Sequence, residues 1–133
     1  MTTLDATTRD RLALLLVQVH RMSMVFNRAI DGAGLSDLRA NPEISVCLAL
    51  HRAGALRPRD LQQTARLTSG GLTKLLDRLE VAGLVRRGTR GTDDDGRAVE
   101  VRLTPAGRRA VVRLRRAIEG AHDDVRPFAK EIA

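Results

Sequence analysis

The chain is poor in aromatic residues and in cysteine. Of its 133 residues only Phe26 and Phe128 are aromatic. Modules that read single-stranded nucleic acid stack bases on aromatic side chains, so the composition argues against that class. The single cysteine, Cys47, excludes an internal disulfide and suits a reducing compartment. Because Cys47 lies among apolar residues, we interpret it as a small buried thiol, with redox sensing as the less favoured alternative.

Long hydrophobic runs are also lacking. No apolar stretch reaches the roughly 18 residues that a membrane span needs. The N-terminal stretch has charge on both sides of its apolar residues and no signal-peptide cleavage site. We therefore expect a cytoplasmic protein without a membrane partner, and residues 1–133 have the length of a single domain.

Catalytic and metal-binding patterns are missing from the sequence. His20, His51 and His122 lie in separate segments without ligand spacing. A calcium loop starting at Asp93 would need a glutamate at its twelfth position, where the chain has Thr104. No glycine-rich phosphate loop or nucleophile elbow is present. We expect no cofactor, no metal and no enzymatic activity.

Positive charge is concentrated in the middle of the chain. The net charge is +7, and twelve basic and seven acidic residues lie between positions 57 and 109. A basic segment inside a folded domain indicates a polyanionic partner, most often nucleic acid. A solvated arginine-rich surface is the alternative.

Apolar periodicity predicts a mainly helical fold. Thr7 or Thr8 caps a first helix that ends near Gly32. At roughly 1.5 Å per residue this helix is nearly 40 Å long, more than a small domain needs, so a second partner is expected to cover it. The run Asn41-Pro42-Glu43 begins a second helix that stops at Gly54.

The centre of the chain predicts a helix, a turn and a second helix. The first of these starts at Pro58 and runs through Ala65. After a turn of a few residues, Ser69 caps the next helix, which ends at Gly83. Its buried stripe is formed by Leu72, Leu75, Leu76 and Leu79.

A β-hairpin follows these helices. Leu84–Arg87 has the size of a short strand, and Asp93–Asp95 with the neighbouring glycines forms a turn. Val99, Val101 and Leu103 then alternate with charged residues, which predicts a second strand with one face in the core. Thr104-Pro105 begins a further helix.

A helix-turn-helix followed by a hairpin is the order of a winged helix. The stretches LTSGGLTKLLDRLEVAGLVRR and DGRAVEVRLTPAGRR resemble the multiple-antibiotic-resistance regulator (MarR) family of winged-helix transcription factors. The resemblance implies a mainly α fold with a small β-hairpin, with residues 42–104 as the DNA-binding core and residues 6–34 and 105–133 as dimerisation helices. It also implies a homodimer that binds double-stranded DNA, with each recognition helix in a major groove and each wing along a minor groove.

The matching positions imply a set of DNA-binding residues. At the start of the recognition helix, hydroxyls and backbone N–H groups of Thr68, Ser69 and Gly70 would bind phosphate. Ser69 acting only as a helix cap, and Arg78 only pairing with Asp77 or Glu80, are the alternatives. The remaining DNA-binding candidates are Thr73, Lys74, Arg78, Arg87, Arg90 and Arg97.

Two departures from the family pattern affect these assignments. The wing tip is Asp94-Asp95-Gly96 instead of an arginine-bearing tip, so Arg90 or Arg97 would have to enter the minor groove, with Asp95 supporting the tip. Members also end with a further long helix, whereas only HDDVRPFAKEIA follows Ala121. We therefore expect a smaller or differently built dimer interface.

These observations predict a cytoplasmic transcriptional regulator, a homodimeric repressor of a pseudo-palindromic duplex. By resemblance, a small aromatic or phenolic ligand would bind between the dimerisation helices and the winged helix, near His20 and Met24. The alternatives are a winged-helix module that binds protein and an architectural DNA binder without an effector.

Overall fold

The computed structural model describes residues 3–38, 41–89 and 99–132. Helices and short strands alternate through these ranges, and a 3₁₀ turn at Ser36–Leu38 precedes the second helix. In chain order the elements are α1 (Ala6–Gly32), α2 (Asn41–Ala53), β1 (Ala55–Leu56), α3 (Pro58–Ala65), α4 (Ser69–Val81), β2 (Val85–Thr89), β3 (Val99–Leu103), α5 (Pro105–Gly120) and α6 (His122–Ile132). The prediction of a mainly helical winged helix-turn-helix is confirmed.

The hydrophobic core lies where α2, α4, α5 and the sheet meet. The four leucines predicted to form the buried stripe of α4 are each at most 3% exposed. They belong to one cluster with Val46 and Leu50 of α2, Val101 of β3, and Val111 and Leu114 of α5. Each fully buried leucine contributes about 1.5–3 kcal/mol, so this stripe fixes which face of α4 points outward.

Within the described ranges, side-chain caps begin α1, α4 and α5, and two predicted caps were wrong by one to three residues. Helix α1 is capped by Asp5, whose Oδ1 accepts from the Thr8 N–H at 2.6 Å, instead of by Thr7 or Thr8. Helix α4 is capped by Thr68, whose Oγ1 accepts from the Gly71 N–H at 3.0 Å. Ser69 is then the first residue of the helix, because a cap must have extended backbone and reach an N–H three residues ahead. The predicted cap of α5, Thr104, is confirmed.

The turn between α3 and α4 depends on a left-handed residue. Arg66 has φ 52° and ψ 47°. Its N–H donates to the Gln63 carbonyl and the Leu67 N–H donates to the Gln62 carbonyl, which closes α3 and redirects the chain into α4. Glycine is the usual residue in this conformation, so a side chain at position 66 adds strain.

The sheet has three antiparallel strands in the order β1, β3, β2. The two-stranded prediction was incomplete, because β1 consists only of Ala55 and Leu56, which pair with Arg102 and Val101. Two residues are too few to show alternation in the sequence. In β3, Val101 and Leu103 face the core, and Val85 of β2 pairs with Leu103.

The base of the wing is bonded to the start of α5. The Thr104 N–H donates to the Leu84 carbonyl at 3.0 Å, and the Thr104 hydroxyl donates to the Gly83 carbonyl at 2.5 Å. A Cβ on Gly107 would lie 2.0 Å from the Leu84 carbonyl oxygen, so only glycine allows this approach. The hairpin and α5 therefore meet at a close backbone contact.

Helix α1 is largely uncovered. Ile30, near its C-terminal end, is its only residue classed as buried. Large apolar side chains along the rest of the helix are exposed: Leu12 51%, Leu14 53%, Leu16 71%, Val17 45%, Val19 43% and Met24 51%. Helix α1 contacts α5 and α6. The segment after Ala121 forms a helix that packs on α1 and lies within residues 105–133, the range that the resemblance assigned to dimerisation helices.

In the ranges that the structure describes, no helix combines the length and the apolar character that crossing a membrane requires.

Candidate nucleic-acid interface

The outward face of α4 carries the polar residues singled out in the sequence. Thr68, Ser69, Gly70, Thr73, Lys74 and Arg78 are all exposed, whereas the leucines between them are buried. The Thr73 hydroxyl donates to the Ser69 carbonyl at 2.9 Å, which occupies its proton and leaves its oxygen lone pairs outward. Among the described residues, Lys74 has no hydrogen-bond or ion-pair partner. This face presents hydroxyl donors, an ammonium group and backbone N–H groups together.

Arg78 is held by a residue from another helix. Its Nη2 donates to Glu43 Oε1 of α2 at 2.7 Å, instead of pairing with Asp77 or Glu80 as the alternative interpretation proposed. Glu43 is only 7% exposed, and its second oxygen, Oε2, is buried without a hydrogen-bond partner among the described residues. The Arg78 side chain is 69% exposed, so its remaining N–H donors stay available to a ligand.

Arg87 makes the contacts that had been considered for Arg78. Its Nη2 lies 2.5 Å from Asp77 Oδ1 and 2.6 Å from Glu80 Oε2, and Nε donates to Glu80 Oε2 at 2.9 Å. The hydrogen bond to Asp77, followed by that to Glu80, raises the pKa of Arg87 above its usual value. Arg87 therefore ties β2 to α4. Its neighbour Arg86 points to the opposite face of the strand and is exposed.

Three wing residues lie outside the described ranges. They are Arg90, Asp95 and Arg97, and their assignments remain predictions.

The sequence that forms these elements is similar to a known protein family. A sequence model described as the MarR family matches residues 35–98, which run from the turn before α2 to the residue before β3. PecS, an HTH-type transcriptional regulator of Dickeya dadantii (strain 3937), is 29% identical over 122 residues, or 89% of this chain and 72% of PecS. Over these residues the chain is similar to the MarR family of transcriptional regulators.

Solved structures of MarR proteins share the fold. A mutant MarR from E. coli, complexed with operator DNA, is 20% identical, with 93% of this chain and 85% of that chain covered and a TM-score of 0.73. NadR in complex with 4-hydroxyphenylacetate is 23% identical, with 97% and 86% covered and a TM-score of 0.68. At 20% and 23% identity, these two comparisons establish a shared fold only.

A cavity lies near the small-molecule site that the resemblance predicted. His20 and Met24 are exposed on α1 and do not line it. A cavity of about 150 Å³ begins at Ser23, one residue before Met24, between α1, α2 and α5. Its lining residues are Ser23, Phe26, Asn27, Ile30, Asn41, Ile44 and Ile118. The contribution of α5 could not be read from the sequence, because Ile118 is distant in the chain and carries no motif.

The cysteine of this chain is buried. Cys47 is 1% exposed, and burial, with the nearby charge of Glu43, raises the pKa of its thiol to about 12. Thiolate is the form that oxidants and electrophiles attack, so a thiol in this state is chemically inert at neutral pH. The geometry favours a packing role for Cys47.

Proposed function

We propose that this chain is a homodimeric repressor that binds a pseudo-palindromic duplex through α4 and the wing and is released by a small phenolic ligand. The observation that carries the proposal is the outward polar face of α4 on a helix whose other face is fixed in the core. In a helix-turn-helix the second helix enters the major groove with its N-terminal residues towards the base edges.

The residues of α4 divide into two groups by chemistry. Thr68, Ser69 and Gly70 lie at the helix N-terminus, where N–H groups and the helix dipole favour phosphate. Lys74 and Arg78 lie four residues apart on the same face, so both reach one groove. Lys74 has no hydrogen-bond or ion-pair partner among the described residues, so it can bind DNA without breaking a contact. Arg78 can keep one N–H on Glu43 and bind DNA through its other N–H donors. Contacts to the adjacent minor groove by Arg90 and Arg97 complete the proposal, together with the N–H donors of Arg87 that Asp77 and Glu80 do not occupy.

The uncovered side of α1 supports dimerisation. Six large apolar side chains along it are more than 40% exposed, a patch that in soluble proteins marks an interaction site. A second copy that covers α1 would bring two recognition helices to successive major grooves, roughly 34 Å apart. Residues 6–34 and 105–133 are the proposed dimerisation segments, flanking a DNA-binding core at residues 42–104.

The cavity between α1, α2 and α5 is the proposed effector site. Its walls are mainly apolar and its polar groups are Ser23, Asn27 and Asn41, a lining suited to a ring with one or two hydrogen-bonding substituents. His20, three residues before Ser23, and Met24, one residue after it, would border its entrance. NadR, which shares the fold, was crystallised with the phenolic compound 4-hydroxyphenylacetate. A ligand can release DNA only if it binds more tightly to a dimer whose recognition helices are too far apart or too close together for the two grooves than to the DNA-binding dimer. A chromosomal operator would also place the protein in the cytoplasm.

The test is fluorescence anisotropy of the duplex upstream of the protein's own gene and of a scrambled duplex, at several salt concentrations. We expect preferential binding to the upstream duplex, and K74A is expected to weaken binding and to reduce the salt slope by about 0.9. R52A, which removes an exposed arginine near the end of α2, away from α4, the wing and the dimerisation segments, is the charge-matched control and should leave the preference intact.

The other outcomes distinguish the alternatives. Equal binding to both duplexes would favour an architectural binder, and no binding to either would favour a protein-interaction module. Salt slopes that are identical for K74A and the parent would remove Lys74 from the interface.

A further inference from the structure

One residue of the helix-turn-helix has a strained backbone. Arg66, in the turn between α3 and α4, has φ 52° and ψ 47°, which is the left-handed conformation. Among the described residues, every other position with a positive φ is a glycine. A Cβ crowds the backbone in this conformation, so arginine costs free energy there that glycine does not. Strain of this kind is concentrated at functional sites, which directs attention to the Arg66 side chain.

The guanidinium of Arg66 does not take part in holding the turn. The turn is fixed through backbone groups, since the Arg66 N–H donates to the Gln63 carbonyl and the Leu67 N–H donates to the Gln62 carbonyl. Arg66 is exposed, and its guanidinium has no hydrogen-bond or ion-pair partner within residues 3–38, 41–89 and 99–132. The strain is therefore not offset by a polar contact of that side chain in the described chain.

Arg66 lies beside the start of the recognition helix. Leu67 packs against the hydrophobic core, whereas Arg66 and Thr68, on either side of it, are exposed. Thr68 caps α4, and two residues of chain span at most about 7 Å. In a helix-turn-helix the first helix crosses the DNA backbone, and Arg66 stands at the C-terminal end of that helix. A long side chain at this position is within reach of the phosphates beside the groove that α4 is proposed to enter.

The other surfaces with a proposed role do not include Arg66. It lies outside residues 6–34 and 105–133, the proposed dimerisation segments, and it does not line the cavity between α1, α2 and α5. A guanidinium is always charged and presents its N–H donors as a planar fork, which matches the oxygens of a phosphate. An exposed arginine next to α4 thus has the chemistry of a backbone contact.

We infer that Arg66 binds a phosphate of the DNA backbone beside the groove that α4 enters. The inference rests on the proposed function and adds to it a residue that lies outside α4. A phosphate contact strengthens binding to any sequence, so Arg66 contributes to affinity and to salt dependence and does not select the sequence. The same side chain then weakens the fold and strengthens DNA binding.

The test combines urea denaturation with fluorescence anisotropy of the upstream and scrambled duplexes at several salt concentrations. R66Q removes the charge and keeps a side chain in the strained conformation. We expect it to bind both duplexes about tenfold more weakly, because a hydrogen bond to a charged group is lost. The salt slope should fall by about 0.9, while the stability stays that of the parent. R66G should show the same loss of affinity and slope together with a higher free energy of unfolding, so stability and DNA binding change in opposite directions.

Two controls separate the charge of Arg66 from other effects. R66K keeps both the positive charge and the strained side chain, and it should retain the salt slope and the stability of the parent. R52Q removes an exposed arginine near the end of α2. It should leave the affinity and the salt slope unchanged, because it lies away from α4 and the turn before it.

Three results would overturn the inference: an unchanged salt slope in R66Q, equal weakening by R66Q and R52Q, or weakening by R66G alone, which would assign the effect to the backbone. An unchanged slope in R66Q beside a reduced slope in K74A would remove Arg66 and leave the proposed function standing. A reduced slope in R66Q beside an unchanged slope in K74A would keep Arg66 and remove Lys74. A parent protein that binds neither duplex would overturn the proposed function and this inference with it.

Discussion

Arg78 and Glu43 form an ion pair between α4 and α2, with Arg78 Nη2 2.7 Å from Glu43 Oε1. Glu43 is buried and Arg78 is exposed, so removing one residue has a different effect on stability from removing the other. Removing Glu43 returns the arginine to water. Removing Arg78 leaves a carboxylate enclosed without a partner, which costs more free energy than losing the pair.

R78A is therefore expected to lower the free energy of unfolding by about 1–2 kcal/mol, less than for a fully buried pair because Arg78 reaches solvent. Adding E43Q should restore at least half of that loss, since a neutral amide is easier to bury. Urea denaturation measures both values. K74A, on the same face without a described partner, should change stability by less than about 0.5 kcal/mol. An R78A protein as stable as the parent would show that Glu43 is solvated.

Cys47 should be unreactive while the protein is folded. With its pKa raised to about 12, its reaction with Ellman's reagent at pH 8 is expected to be on the order of a thousandfold slower than in urea. The Cys47 thiol has a higher pKa in the folded protein than in the unfolded protein. Its contribution to the free energy of unfolding is therefore fully present at pH values below the unfolded pKa. The contribution of Cys47 should thus be lost as the pH rises from its ordinary value of 9.0 to about 12. C47A should lack this part of the alkaline loss, and fast labelling of the folded protein would contradict the burial.

G107A is expected to destabilise the protein by about 3 kcal/mol or more, because the new Cβ would collide with the Leu84 carbonyl oxygen and neither backbone can move freely. Thermal unfolding measures the effect, and failure to fold is an extreme form of the same result. G120A is the matched control, since a Cβ there meets no atom within 4 Å. A normal melting temperature for G107A would disprove the close approach.

R66G should stabilise the protein by about 0.5–1 kcal/mol, because glycine adopts the left-handed conformation without strain. The opposite change, G83A, replaces a glycine with φ +77° and should destabilise by a similar amount. Chemical denaturation of both variants measures whether the free energy of unfolding rises in R66G and falls in G83A. A loss of stability in R66G would mean that the arginine side chain makes a compensating contact.

L16K should disrupt dimers if α1 forms the proposed interface, because Leu16 is the most exposed of its apolar residues at 71%. Sedimentation equilibrium is expected to show a dissociation constant raised at least about tenfold, since a buried lysine without a partner costs more than 1.4 kcal/mol. T7K adds the same charge to the same helix and should have little effect. A monomeric parent protein would remove the dimer from the proposed function.

Helices α1 to α5 could be predicted because each has local signals. The leucine stripe of α4 and the Thr104-Pro105 start of α5 are periodic or capping patterns that operate within a few residues. The cap of α4 was displaced by one residue because Thr68 and Ser69 are chemically similar, and only the backbone angles distinguish them. Strand β1 was missed because two residues have no pattern.

The candidate site was less accessible to sequence reasoning. The exposed face of α4 follows from its buried stripe, so Lys74 and Arg78 could be placed outward. Their partners could not, because Glu43 lies 35 residues before Arg78 in the chain. Arg87 was selected over Arg86 without any means of knowing that Asp77 and Glu80 would hold it. Pairings between elements depend on tertiary packing, which leaves no local spacing to read.

The close contact between Gly107 and Leu84 links the orientation of the wing to the orientation of α5. Because the Gly107 backbone packs directly against the Leu84 carbonyl oxygen, a rotation of α5 would also move the start of β2. Five strand residues extend about 16 Å, so a tilt of about 10° displaces the far end of β2 by about 3 Å. A hydrogen bond is lost over less than 1 Å. A small change in the angle of α5 would therefore displace the far end of β2 by more than the distance over which a hydrogen bond is kept.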